Sequence, residues 1–247
     1  MQRIINAWVW TTTVLVVLVG FFYVAIVWLF TAPFDPGRYA AGRAFRRLAV
    51  AGTWLNPYWH FRTTGVKLAD PRHPYVAVSN HESYADIFLL SHLPWEMKWL
   101  SKDTIFRIPV MGWLMRMAGD IPIKRGRRES VIAALEGCRD RLEKKVSVMI
   151  FPEGTRSHAG HLLPFKDGAF QIAIRNGVPI LPIALAGTRH AMAKGTFQFR
   201  RANAVCKVLE PISTDGLTSK DVPALRDHVQ ALIETESRKL KESLREA

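Results

Sequence analysis

The chain has 247 residues, 49% hydrophobic and 22% charged, so it can bury a sizeable core and is not disordered over most of its length. Its 34 Lys and Arg outweigh 21 Asp and Glu, and the formal charge of +13 selects an anionic partner: nucleic acid, an anionic membrane surface or a phosphorylated ligand. Cys138 and Cys206 are too few for a disulfide scaffold or a four-cysteine zinc site, and a reducing compartment fits.

The first predicted element is a long apolar helix. No charged residue falls between Arg3 and Asp35, and Trp8 to Phe30 (WVWTTTVLVVLVGFFYVAIVWLF) is apolar on every face. About 20 such residues suffice to cross a bilayer. Trp8, Trp10, Tyr23 and Trp28 sit where interfacial anchors would. The run is too long for a signal-peptide core, and no A-x-A cleavage site follows promptly. Residues 32–37, APFDPG, break the helix. Arg38, Arg43, Arg46 and Arg47 then begin a second predicted helix that runs to Leu55, and basic residues here place this side in the cytoplasm. Trp54, Tyr58, Trp59 and Phe61 suit headgroup depth. Residues 1–60 therefore read as two membrane-anchoring helices: one spanning the bilayer or buried in one leaflet, the other amphipathic and lying on its surface. The competing reading, a core helix of a soluble protein, is disfavoured by uniform apolarity over this length.

Residues 61–247 read as an α/β domain. Strands are predicted at 75–79, 98–101, 120–124, 146–151 and 178–186, and helices at 83–92, 110–118, 129–144 and 165–175. Alternation of this kind predicts a mostly parallel mixed sheet flanked by helices. Segments 197–200 and 204–209 suggest a late hairpin at the sheet edge, and a terminal helix starts near Asp221.

Ligands of such sheets bind beyond the carboxyl ends of the strands, which directs attention to the polar residues there. The segment from Asn80 to Asp86, NHESYAD, holds His81 and Asp86 five positions apart. On one continuous helix they would diverge, but with His81 before the helix and Asp86 in its second turn they form a base and its orienting carboxylate. Position 85 is Ala, so H-E-x-x-H is incomplete and no zinc site is expected; G-x-S-x-G is absent as well. GDIPIKR (119–125) is followed by Arg127 and Arg128 and preceded by Lys98, Lys102, Arg107 and Arg116, a patch suited to phosphate or to anionic lipid. FPEGTRS (151–157) presents Glu153, Gly154 and Arg156 together, to hold polar groups or each other. VPILPI (178–183) carries two prolines in an apolar run; it reads as an edge or irregular strand and as either an apolar substrate wall or core.

In this order and spacing, the four blocks resemble the 1-acylglycerol-3-phosphate acyltransferase family, the PlsC-like glycerolipid acyltransferases. The resemblance implies transfer of a fatty acyl group from acyl-CoA or acyl carrier protein to the sn-2 hydroxyl of lysophosphatidic acid, forming phosphatidic acid at a membrane. It implies His81 as general base, Asp86 as its orienter, and Arg125, Glu153, Gly154, Thr155 and Arg156 as acceptor-binding residues, with Lys102 a further phosphate ligand. No metal, cofactor or nucleic acid is implied. The blocks also admit another lysolipid acceptor, such as a lyso-ornithine lipid. A non-catalytic basic membrane-binding protein would have no chemical need of the His–Asp pair.

Overall fold

The computed structural model describes residues 2–124, 126–157, 161–192 and 198–246. The uncharged N-terminal run forms helix α1, Gln2–Thr31, about 45 Å long at 1.5 Å per residue. In the turn that follows, Arg38 adopts the left-handed conformation (φ 56°) and Asp35 accepts the Ala40 N–H at 2.7 Å. Helix α2, Tyr39–Trp54, then folds back along α1. The two approach closely at Gly20, where a Cβ would come within 2.4 Å of Leu48.

Arg47 of α2 is exposed, but Arg43 and Arg46 turn toward the α/β domain rather than outward as the sequence suggests. Arg46 is buried, Arg43 donates to the Leu93 and Trp95 carbonyls, and Arg47 reaches the Tyr23 hydroxyl. The helix is wedged between α1 and the α/β domain. Tyr58 and Trp59 are likewise buried rather than at headgroup depth. Trp59 packs on Phe61, Phe88 and Phe199 because the chain here enters strand β1, Trp59–Gly65, which the sequence reading missed. Trp54 alone of that group is largely exposed.

The domain continues through β2 (Val76–Ser79), α3 (Ala85–Leu90), β3 (Met97–Lys102), a 3-10 turn (Ile105–Arg107), α4 (Met111–Ala118), β4 (Ile121–Ile123), α5 (Arg128–Glu143), β5 (Ser147–Ile150), α6 (Gly168–Asn176), β6 (Ile180–Ala186), β7 (Ala202–Val208) and α7 (Val222–Glu246). The seven-stranded sheet has the order β1-β7-β6-β2-β5-β3-β4. Every neighbouring pair is parallel except β6 and β7. The amino ends of β1 and β7 therefore share one edge of the sheet with the carboxyl ends of β2, β5 and β3. Central strands alternate between two cores: Val76, Val78, Val148 and Ile150 face α5, α6 and α7, while Ala77 and Met149 face the α3 side. Burial on both faces explains why these strands read as unbroken apolar runs.

Two placements correct the sequence reading. β6 is an interior strand despite its prolines: its ladder to the returning chain breaks between the Ile180–Ile212 bridge and the Ile183–Val208 pair, and Pro182 occupies that gap. β7 is also interior and forms no edge hairpin; it lies between β1 and β6, while Phe199 makes an isolated bridge to Met192. Part of the segment assigned to that hairpin lies outside the described residues.

Candidate active site

The carboxyl ends of β2 and β5 carry the site. Beyond β2, the Asn80 amide makes two hydrogen bonds to the Leu185 backbone, donating to its carbonyl at 3.0 Å and accepting its N–H at 2.8 Å. This mimics one more rung of sheet and fixes the next residue, His81. The His81 N–H donates to Glu153 at 2.7 Å, and its carbonyl accepts the Ser157 N–H at 2.8 Å. The imidazole stacks on Phe151, with ring centroids 4.0 Å apart and planes 16° from parallel.

His81 Nδ1 lies 2.7 Å from Asp86 Oδ2. Residues 81–84 precede α3, so Asp86 falls in the first turn of that helix, one turn earlier than the sequence suggests, and the two side chains converge. Asp86 is fully buried, and its Oδ2 also accepts the N–H groups of Glu82 and Ser83 at 2.7 and 3.0 Å. A carboxylate accepting from Nδ1 fixes the proton there and leaves Nε2 as the basic nitrogen.

Glu153 does not pair with Arg156. It is 3% exposed, and its second oxygen accepts the Leu163 N–H at 2.9 Å. Burial raises its pKa above the usual carboxylate range, while the two backbone donors oppose that shift. With both oxygens occupied by backbone, Glu153 is a tie between the β2 and β5 loops. Arg156 instead lies over the ring of Tyr84, 3.9 Å from its centroid. Gly154 has φ 71°, a conformation that favours glycine, and a Cβ there would approach the Lys166 ammonium at 3.0 Å.

His81, Tyr84, Lys102, Gly154, Thr155, Arg156 and Lys166 line one cleft of about 550 Å³. Its far wall is apolar and comes from α5 and α6, including Val131, Leu135 and Ile172. The VPILPI segment contributes none of this wall; β6 is wholly buried as core. Lys98 leaves the basic patch as well. It is fully buried, pairs with Glu96 at 3.1 Å and donates to the carbonyls of Arg38 and Ala118. Arg125 lies outside the described residues. Sequence reasoning missed Tyr84, Phe151 and Lys166 as parts of the site. Tyr84 and Phe151 stand inside the blocks it singled out, and Lys166 follows the third by nine positions, but nothing in spacing alone reveals a ring stacked on an imidazole or a guanidinium.

The acyltransferase family model matches residues 60–186. A chloroplastic 1-acyl-sn-glycerol-3-phosphate acyltransferase of Arabidopsis thaliana is 40% identical over 68% of this chain and 47% of its own length. The human 1-acyl-sn-glycerol-3-phosphate acyltransferase alpha is 38% identical over 65% of this chain and 57% of its own. The chain thus spans about half the length of these curated relatives. The crystal structure of the lysophosphatidic acid acyltransferase PlsC from Thermotoga maritima is similar along nearly the whole chain. Its TM-score is 0.79 at 25% identity, covering 97% of this chain and 98% of that one.

Proposed function

This chain belongs to the acyltransferase family, and on that premise we propose that it transfers a fatty acyl group from a thioester, acyl-CoA or acyl carrier protein, to the sn-2 hydroxyl of lysophosphatidic acid, yielding phosphatidic acid. The observation that carries this reading is the Asp86-oriented His81 in a cleft lined by the cations Lys102, Arg156 and Lys166 and by apolar residues of α5 and α6. His81 Nε2 takes the hydroxyl proton as the acceptor oxygen attacks the thioester carbon. The carbon–oxygen bond forms, the carbon–sulfur bond breaks, and the thiolate leaves and collects the proton from His81. No acyl-enzyme is required. The cations of Lys102, Arg156 and Lys166 are assigned to the acceptor phosphate, with Thr155 beside them. Glu153 is assigned to holding His81 rather than to touching substrate. The test is thiol release by the purified full chain that depends on added lysophosphatidic acid; release with a phosphate-free lysolipid alone would reassign the acceptor.

Tyr84 holds the guanidinium of Arg156 by its face, leaving the N–H edges for oxygen atoms. Tyr84→Ala is expected to raise KM for the acceptor about fivefold, the value of a cation–π contact near 1 kcal/mol, with a smaller change in kcat. Tyr84→Phe keeps the ring and is expected to behave as wild type. Equal steady-state constants for Tyr84→Ala and wild type would remove Tyr84 from this role.

The hairpin of α1 and α2 is assigned to a membrane anchor with the catalytic domain on the cytoplasmic face. α1 exposes most of its apolar surface, yet its first turns and its C-terminal half both bind the folded domain. Near the N-terminus Gln2 and Asn6 bond to the Phe199 backbone, and in the C-terminal half Phe21 packs on Trp113 and Val24 clusters with Leu114 of α4. A helix held against the domain at its first turns and again in its C-terminal half favours burial in one leaflet over a crossing. Single cysteines at Ile4 and Phe30 in sealed vesicles are expected to react with an impermeant maleimide from the same side. Labelling from opposite sides would establish a span.

A further inference from the structure

The two residues that flank His81 in the chain are both tied to α7. On the amino side, the Leu185 carbonyl that accepts the Asn80 amide at 3.0 Å also accepts the Ser237 hydroxyl of α7 at 2.8 Å. On the carboxyl side, the Glu82 carboxylate pairs with the Lys241 ammonium of α7 at 2.7 Å. Ser237 and Lys241 are four positions apart, so they lie on one face of that helix. Neither Glu82 nor Lys241 lines the acyl-transfer cleft; with Asn80 and Ser237 they border a separate recess of about 180 Å³.

Glu82 is 7% exposed. A buried carboxylate is costly unless a cation meets it, so packing alone does not account for an acid at this position. Burial raises the Glu82 pKa, the Lys241 ammonium opposes that shift, the Asp86 carboxylate adds to it and Arg189 opposes it further. The Glu82 backbone is bonded to the same carboxylate that it feels through space. Its N–H donates to the Asp86 oxygen that also faces His81 Nδ1, both at 2.7 Å. One residue therefore connects Lys241 to the His81–Asp86 pair. α7 is a firm support for this contact: Val229 and Ile233 are fully buried, and Glu236 pairs with Lys207 of β7 at 2.7 Å.

We propose that Lys241 is a positioning residue for acyl transfer: by holding Glu82 it keeps the 82–83 N–H groups on Asp86, and through Asp86 it keeps His81 aligned. The assignment rests on the reading of His81 as general base. Without Lys241, the Glu82 carboxylate stands beside Asp86 with less to offset it and is driven toward solvent, drawing its N–H off the Asp86 oxygen. The pair then loses alignment, while Lys102, Lys166 and the wall from α5 and α6, on other segments, still meet the substrates.

The test is steady-state acyl transfer from a thioester to lysophosphatidic acid by the full chain in detergent, with the melting temperature of each variant measured alongside. Lys241→Met is expected to lower kcat about tenfold with little change in either KM, the pattern of a misaligned base rather than of lost binding. Lys241→Arg keeps the charge and is expected to recover most of that loss. Glu82→Gln is expected to lower kcat as well, and it carries the same test if Lys241→Met does not fold. The double variant Glu82→Gln/Lys241→Met is expected to lose no more than the worse single, because both break one contact. Lys207→Met removes a different ion pair of α7 and is expected to leave kcat unchanged, whatever it does to melting. Wild-type kcat in folded Lys241→Met would overturn the proposal. So would a KM that rises as kcat falls, an Arg variant no better than Met, or an equal loss in Lys207→Met, which would reduce the effect to docking of α7. His81→Ala separates this role from its premise. Full activity there would refute the base itself, whereas its loss beside an unaffected Lys241→Met would refute the role of Lys241 alone.

Discussion

Replacing His81 by Ala is expected to lower kcat by about 10²–10⁴-fold, the contribution of a positioned general base, while KM for both substrates changes little. The basis is geometric. His81 is held by its N–H on Glu153, its carbonyl on Ser157, its ring on Phe151 and its Nδ1 on Asp86. Asp86→Asn is expected to fall in the same range, because an amide can offer Nδ1 the wrong partner and reverse the tautomer. Steady-state acyl transfer from a thioester, read as free thiol, measures both. The two losses should not add in the double variant, since the pair acts as one unit. A His81→Ala enzyme with wild-type kcat would refute the mechanism.

The largest expected effect on stability lies at Lys98. Arg46 of α2, Glu96, Lys98 of β3 and Asp120 form a buried quartet, with Arg46 bonded to Asp120 and 3.7 Å from Glu96. Asp120 also accepts the Trp99 N–H at 3.0 Å. Burial lowers the Lys98 pKa and raises that of Glu96, each against the attraction of the other. Lys98→Met leaves Glu96 short of a partner in a closed site and is expected to cost about 3–5 kcal/mol. That is a fall in melting temperature on the order of 10 °C for a chain of this size. Glu96→Gln/Lys98→Met removes one charge of each sign and is expected to melt above the single variant. Thermal unfolding in detergent checks both. A single variant as stable as wild type would show that the quartet does not tie α2 to the sheet.

Periodicity revealed the α/β layout because its cause is local. Runs such as Val76–Val78 and Val148–Ile150 are apolar throughout, as strands covered on both faces must be, and α5 shows its core stripe at helical spacing. β1 escaped because WHFRTTG is an outer strand, polar on its exposed side, and its aromatic start resembles an interfacial belt. Pro182 suggested an edge strand because a ladder gap is a tertiary event, set by where Ile212 and Val208 meet β6. At the site, the four blocks marked His81, Asp86 and the 153–156 loop as one neighbourhood. They did not reveal that Glu153 spends both oxygens on backbone, or that Lys98 points into the interior, since a charged residue carries no sequence mark of the partner that buries it.

The contacts at the first turns of α1 also bear on how the chain is assembled. Gln2 and Asn6 bond to Phe199 across sequence separations of 197 and 193 residues, and among the described residues β1 pairs only with β7, from residues 202–208. These contacts of α1 and the pairing of β1 therefore form only after residues 199–208 have been made, whereas α1 can pack on α2 and α4 well before that. Even when packed on α2 and α4, α1 keeps an exposed apolar face, and an apolar surface of this length is most stable in lipid. Closing the sheet at β1 then becomes a late step with long loops to close, and it selects for a nascent chain already delivered to the bilayer rather than one folding free in water.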